Sequence, residues 1–190
     1  MAIDALGRAV PEPGAAVVPM PRACRQVGVF YENRTQRNAI RRIEMWHDAD
    51  DLHVRIKAMK PIDAKDRAGT WMKLYLNTDG GRGYGFVANN APGGDGTTTL
   101  AKVKERGESL ECEDVPGVKI PRLVAGDSMS MSIPRAALGI GGRSFTLWFK
   151  VADSRSEAGT IMDFYDQGDA APLGRLNYVY KGSGVAAQEK

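Results

Sequence analysis

Residue patterns that carry enzymatic chemistry are sparse in this sequence. It contains only two histidines, His47 and His53, and no Gly-x-Ser-x-Gly element that would present a serine nucleophile. His53 alternates with cations on the polar side of a predicted strand and His47 precedes an acidic turn, so we expect both at the solvated surface. Glycine clusters at 81–85 and 93–96 lack the Lys-Ser/Thr and the helix of a phosphate-binding loop, so they are interpreted as turns.

Carboxylates are the remaining catalytic candidates. A glycosidase needs two of them, one acting as acid and the other as base or nucleophile. The sequence has 23 Asp and Glu residues, and no spacing among them selects such a pair. We therefore predict no catalytic residue and no enzymatic activity.

Calcium is the one metal for which the sequence offers suitable ligands. Asp50, Asp51 and Asp79, with Asp48 nearby, place hard oxygen donors in predicted loops, as Ca²⁺ requires. Their spacing does not match an EF-hand, and aspartate is also a common turn residue. A structural calcium at Asp50, Asp51 and Asp79 and a plain turn role both stay open; no other cofactor is indicated.

Length and composition fit one domain with its own core. The chain has 190 residues, of which 43% are hydrophobic and 26% charged. Basic and acidic residues are interspersed, so the net charge of +3 does not indicate a nucleic-acid partner. No apolar run approaches the ~20 residues that span a bilayer, so no membrane partner is expected. Cys24 and Cys112 lie outside any Cys-x-x-Cys spacing, and one disulfide or two free thiols both stay open.

Alternating hydrophobic residues predict an all-β fold. Alternation is clearest at 42–45, 52–58, 71–76 and 145–151. Weaker strands are expected at 83–89, 98–105, 117–124, 128–133, 160–165 and 175–180. A helical pattern is restricted to about one turn at 134–138. Roughly ten short strands joined by Gly- and Asp-rich turns favour a two-sheet antiparallel β-sandwich of the jelly-roll type.

The sandwich is predicted over residues 39–183. Residues 1–38 carry four prolines and no periodicity, which predicts an irregular N-terminal arm, and 184–190 are expected to form a flexible tail. The first residues lack the basic start and apolar stretch of a secretory signal. If the chain is a piece of a longer secreted protein, an extracellular or periplasmic location is expected.

Three aromatic residues fall on the sides of their strands that face away from the predicted core. Trp71 and Tyr75 alternate with the core positions of one strand, and Trp148 does so on another, with lysines on the same face. Exposed aromatics mark a contact surface, and sugars stack their C–H faces on such rings. We predict ligand binding by these three residues, with weaker candidates in the loops: Tyr84, Asp169 and Arg175. The alternative is that the arm or a neighbouring domain covers this face.

Six short blocks of sequence occur in a characteristic order: 45–56, 71–79, 83–89, 133–139, 149–153 and 161–178. Together they resemble the carbohydrate-binding module family 9-like (DOMON-like) β-sandwich domain, as found at the C-terminal end of larger secreted bacterial proteins. The likeness covers about residues 28–181. The turn after Asp79 is shorter than the Asp-rich loop usual in that family.

The resemblance implies a jelly-roll-like sandwich that often serves as a non-catalytic appendage of a glycoside-active enzyme. Family members hold structural calcium and bind sugar between aromatic side chains. We therefore expect a non-catalytic carbohydrate-binding or accessory module of a larger carbohydrate-active protein. The alternatives are a structural interdomain module without sugar affinity and, third, a haem-binding DOMON-like domain with Met or His ligands.

Overall fold

The structure, a computed structural model, describes residues 25–26, 29–30, 38–62, 72–80, 83–92, 96–154, 160–165 and 169–184. These residues contain twelve β-strands, one short 3₁₀ helix (η1, Ile161–Phe164) and no α-helix. The strands are β1 Arg25–Gln26, β2 Val29–Phe30, β3 Ile40–His47, β4 Asp51–Ala58, β5 Met72–Asn77, β6 Phe86–Pro92, β7 Thr97–Arg106, β8 Ser109–Ala125, β9 Ser128–Pro134, β10 Phe145–Asp153, β11 Ala170–Ala171 and β12 Tyr178–Gly182.

The all-β prediction is confirmed, and nearly every predicted strand overlaps an observed one. The exception is 160–165, where the predicted strand is wrong because the chain forms η1. Thr160 Oγ1 accepts the N–H of Met162 at 3.2 Å, and Asp163 Oδ2 accepts the N–H of Thr160 at 3.2 Å. This capping box satisfies the first N–H groups of a helical turn and so favours it over a strand.

Strands β3 to β12 form one antiparallel sheet that is not closed into a barrel. Its order is β11-β10-β5-β6-β7-β8-β9-β4-β3, and β12 also pairs with β10. The long strand β8 changes partner along its length: residues up to Pro121 pair with β7, and residues from Arg122 onward pair with β9. This change divides the sheet into a first half (β5, β6, β7, β10, β11, β12 and the start of β8) and a second half (β3, β4, β9 and the end of β8).

The two halves share one hydrophobic core, which gives the molecule its sandwich-like form. Alternate residues of strands from both halves fill it: Ile43, Met45, Leu52, Val54, Met129, Met131, Leu74, Leu76, Leu147 and Phe149. Polar contacts close the edge between β3 and the first half. His47 Nδ1 lies 2.6 Å from Tyr180 Oη, and Asn38 Nδ2 donates to Asp153 Oδ1 at 3.1 Å.

The outer face of the first half is covered by the chain itself, which corrects the expectation that Tyr75 and its neighbouring lysines are exposed. Tyr75, Lys73 and Lys150 point away from the main core as the alternation predicted, yet all three are fully buried. Lys150 Nζ donates to Pro172 O and lies 5.3 Å from the ring centroid of Phe164. A second apolar cluster forms there: Tyr75, Val87, Ala101, Leu110, Ala152, Phe164, Tyr165 and Ala170.

The predicted arm and tail fall largely outside the described residues. Within the arm, Arg25–Gln26 pairs antiparallel with Val29–Phe30. Residues 185–190 of the tail are not described. Across the described part of the chain, no helix has the length and apolar character needed to cross a membrane.

Candidate functional site

A cleft of about 510 Å³ opens beside η1 on the outer face of the first half. We call it the tyrosine cleft, and its principal lining residues are Tyr84, Glu105, Phe164, Tyr165, Arg175 and Asn177. Its volume lies in the range of small-molecule sites, which is roughly 300–1,000 Å³. The cleft brings together Tyr84 and Arg175, two of the residues predicted from the sequence to bind a ligand.

Aromatic rings form the floor of the tyrosine cleft. The Tyr75 ring centroid lies 5.3 Å from that of Tyr84 and 5.0 Å from that of Phe164, and the latter pair meets edge to face at 80°. Burial raises the pKa of Tyr75, and burial followed by the nearby Glu105 carboxylate raises the pKa of Tyr84. Both phenols therefore stay neutral at physiological pH, and Tyr84, which lines the cleft, offers its hydroxyl group.

The rim of the tyrosine cleft is polar and held by hydrogen bonds. Tyr84 Oη donates to Asn177 Oδ1, and Arg175 Nε donates to Tyr165 Oη at 3.2 Å. Together with the exposed carboxylate of Glu105, the rim presents phenol, amide, guanidinium and carboxylate groups. This set can both donate to and accept from a ligand rich in hydroxyl groups.

Local contacts explain why η1 lies where it does. Ile161 N–H donates to Glu108 O at 3.0 Å, which attaches the start of η1 to the turn between β7 and β8. Gly174, with φ of 68°, donates its N–H to Phe164 O at 2.7 Å and brings the chain back from β11. A residue with a side chain is strained at that φ, so glycine suits the return.

A second cleft, of about 300 Å³, surrounds Trp148 and is called the tryptophan cleft. Asp79, Gly80 and Arg143 also line it, so it contains two further sequence candidates, Trp148 and Asp79. Gly80 has a φ of 77° and packs on the indole, because a Cβ there would lie 3.5 Å from Trp148 Cη2. The indole is half-buried and remains accessible from the cleft.

The aspartates predicted to bind calcium do not come together. Asp50 and Asp51 lie at the turn between β3 and β4, where their N–H groups donate to Asp48 Oδ1 at 2.9 and 2.7 Å. Asp79 belongs to the tryptophan cleft, in the β5–β6 loop. Among the described residues, no three His, Cys, Asp or Glu side chains are grouped to hold a metal. The calcium prediction therefore gains no support, and Asp48 acts as a turn residue.

Two other predicted ligand residues lie elsewhere. Trp71 falls outside the described residues. Asp169 accepts the N–H of Ile40 through its carboxylate, and its backbone O accepts the N–H of Asp153 at 2.8 Å. Asp169 thus connects β3 to the β10–β11 edge, a structural task that no local sequence pattern indicates. Cys112 is a free thiol, and Cys24 is outside the described residues.

The outer face of the second half carries a hydrogen-bonded chain that the sequence did not reveal. His53 Nδ1 lies 3.0 Å from Ser132 Oγ and its Nε2 lies 2.8 Å from Asp48 Oδ2, while the ring stacks on Trp46 at 5.3 Å. A hydrolytic triad uses these residue types with Nδ1 toward the carboxylate, and here the ring is reversed. The cross-strand register places His53 beside both Trp46 and Ser132.

Both histidines make hydrogen-bond contacts through both of their ring nitrogens. His47 contacts Tyr180 Oη and Ser183 O, the latter at 3.1 Å, and His53 contacts Ser132 and Asp48. Coordination of haem iron by either ring would require breaking one of these contacts. The structure therefore gives no argument for haem ligation by histidine.

Fold and site together define an all-β, sandwich-like domain, and both clefts include residues of its first half. No family model, curated protein or solved structure matches the chain. The function is therefore inferred from the chemistry of the clefts.

Proposed function

We propose that this chain is a non-catalytic carbohydrate-binding module, an accessory part of a larger carbohydrate-active protein, and that the tyrosine cleft binds the sugar. One observation carries the proposal. Within a cleft of about 510 Å³, aromatic rings meet an amide, a guanidinium and a carboxylate. The expectation drawn from the sequence blocks that resemble the carbohydrate-binding module family 9-like (DOMON-like) domain is the same.

Sugars require this combination of groups because a sugar ring has both an apolar face and a polar edge. The axial C–H bonds form an apolar face, which stacks on an aromatic ring, and the hydroxyls at the edge both donate and accept hydrogen bonds. Tyr84 packs on Tyr75 and Phe164 and is still partly exposed, so part of its ring remains available in the cleft. Arg175 and Glu105 are exposed at the rim and can meet sugar hydroxyls.

Hydrogen bonds within the protein hold the polar rim. Tyr84 is held by Asn177, and Arg175 is held by Tyr165. Side chains that are already fixed lose less conformational freedom on binding, which improves affinity. The guanidinium of Arg175 uses Nε for Tyr165 and carries further N–H donors.

Calorimetric titration with glucose, xylose and their β-linked disaccharides, together with a glycan array, tests the proposal. Arg175→Ala removes a charged donor from an exposed position, and we expect affinity to fall about tenfold to a hundredfold, since such hydrogen bonds contribute about 1.5–3 kcal/mol. Arg41→Ala, an exposed arginine on β3, is the matched control and should bind like the wild type. Absence of any sugar binding at millimolar concentration, or wild-type affinity in Arg175→Ala, would contradict the proposal.

The alternative, a structural interdomain module without sugar affinity, is supported by a different surface. Trp46 is 37% exposed and Leu123 is 66% exposed, both on the outer face of the second half, and the Arg55 guanidinium lies 5.5 Å from the indole centroid. Exposed Trp and Arg are enriched where proteins dock. This alternative predicts that Trp46→Ala weakens association with a neighbouring domain of the parent protein while sugar titrations show no heat.

A further inference from the structure

Trp148 of the tryptophan cleft and the floor of the tyrosine cleft lie on the same face of the first half. Trp148 alternates with the core residues Leu147 and Phe149 of β10, and Tyr75, beneath the tyrosine cleft, alternates with core residues of β5. The register pairs Trp148 with Asn77 and Lys150 with Tyr75. Since side chains two residues apart share a face, the indole and the tyrosine floor lie on one surface, in adjacent cross-strand rows.

The clefts are also close together. Asn177 lines the tyrosine cleft, and Val179 pairs directly with Trp148. Two residues of extended chain span at most about 7 Å, and paired strands bring Cα atoms to about 5 Å. The Cα atoms of Asn177 and Trp148 are therefore within about 12 Å of each other.

A single buried side chain contacts residues that line or adjoin both clefts. Asn77, 3% exposed, donates from Nδ2 to Gly83 O, next to Tyr84 of the tyrosine cleft. Its Oδ1 accepts the N–H groups of Asp79 and Gly80, at 3.2 and 2.9 Å, in the tryptophan cleft. The same buried amide therefore connects the tryptophan cleft to the backbone beside Tyr84.

The tryptophan cleft repeats the chemistry of the tyrosine cleft on a smaller scale. It offers an aromatic face from Trp148, a carboxylate from Asp79 and a guanidinium from Arg143. Each unit of a ligand made of repeating units presents the same chemical groups. Two similar clefts a short distance apart therefore suit such a ligand. A single small sugar would leave one of the two clefts unused.

We infer that the tyrosine and tryptophan clefts are two subsites of one surface, and that the ligand is an oligosaccharide long enough to occupy both. This inference depends on the proposed function, because it assigns a sugar to the tyrosine cleft. It adds the class of ligand, a chain of linked sugars, and gives Trp148 the role of stacking a second unit.

A chain-length series tests the inference. The probes are cello-oligosaccharides and xylo-oligosaccharides of one to four units, titrated into wild type, Trp148→Ala, Arg175→Ala and Trp46→Ala. In the wild type we expect affinity for one of the two series to rise at least tenfold from one unit to four. Trp148→Ala should abolish this rise, so that the variant binds four units about as weakly as one. Arg175→Ala should weaken binding at every length, and Trp46→Ala, an exposed tryptophan outside both clefts, should match the wild type.

The outcomes separate this inference from the proposed function. Sugar binding that does not strengthen with length, or a length dependence that survives in Trp148→Ala, overturns the two-subsite inference and leaves the proposed function standing. No binding of any sugar overturns both. Trp148→Phe retains an aromatic face and should keep part of the length dependence. This variant distinguishes the loss of the stacking surface from a general loss of structure. Far-UV circular dichroism checks the fold of each variant.

Discussion

Replacement of Arg135 by methionine tests how the loops around the tryptophan cleft are held. Arg135 is fully buried. Its guanidinium donates to four backbone carbonyls in two separate turns, those of Asp48, Ala49, Ile140 and Arg143. It also lies 5.0 Å from the ring centroid of Phe145. Methionine keeps most of the side-chain length and loses every donor.

The expected loss follows from these contacts. Each hydrogen bond from a charged donor contributes about 1.5–3 kcal/mol, but four bonds from one group are not additive, and water can reach carbonyls in surface turns. Single substitutions rarely cost more than about 4–5 kcal/mol. We expect Arg135→Met to lower the free energy of unfolding by about 3–5 kcal/mol, which for a domain of this size lowers Tm by roughly 10 °C.

Urea denaturation followed by tryptophan fluorescence and circular dichroism measures this loss. Arg135→Lys retains the charge, but a single ammonium group cannot contact both turns as the planar guanidinium does. The free energy of unfolding of Arg135→Lys should therefore fall between those of the wild type and Arg135→Met. Arg41→Ala, an exposed arginine, should change the free energy of unfolding by less than about 0.5 kcal/mol. A free energy for Arg135→Met within that same margin of the wild type would refute the reasoning.

Two further predictions concern titratable groups. The N–H of Asp51, and then the hydrogen bond to His53, lower the pKa of Asp48 from 3.8 to about 2. The ionised Asp48 carboxylate therefore stabilises the fold above the unfolded pKa, and this contribution is lost as pH falls from 3.8 to about 2. Asp48→Asn should make Tm depend less steeply on pH in that range. Equal slopes of Tm against pH in the wild type and in Asp48→Asn would contradict the prediction. Burial raises the pKa of the Cys112 thiol, whose Sγ also donates to Leu110 O at 3.6 Å. In a Cys24→Ser background, Cys112 should react with a thiol reagent several-fold more slowly in the native state than in urea, and equal rates would show that it is not protected.

Alternation of hydrophobic and polar residues predicted the strands in which every second side chain is buried. It did not predict strand segments whose side chains are mostly exposed. In β4, Leu52, Val54 and Ile56 are buried while the residues between them are only partly covered, so the period of two is plain. The first part of β8 carries Glu111, Glu113 and other exposed side chains, so its pairing with β7 leaves little alternation in the sequence. The sequence therefore predicted only the later part of β8.

The candidate site was less predictable because it is assembled from distant segments. Glu105, Tyr165 and Arg175 come from β7, the end of η1 and the loop before β12, and their meeting depends on where η1 lies. Tyr75 was correctly placed away from the main core, but alternation carries no information about which later segment covers that face. The capping box that begins at Thr160 was the local signal that could have identified η1.

The partner change along β8 has a consequence for local opening of the domain. One continuous strand belongs to both halves, and the halves pack on one hydrophobic core. Opening either half therefore exposes core residues that the other half covers, and the halves are expected to exchange their amide hydrogens as one cooperative unit. A ligand that binds only the folded state stabilises the whole of such a unit. Sugar bound on the outer face of the first half should then slow hydrogen exchange in β4, a strand that lines neither cleft.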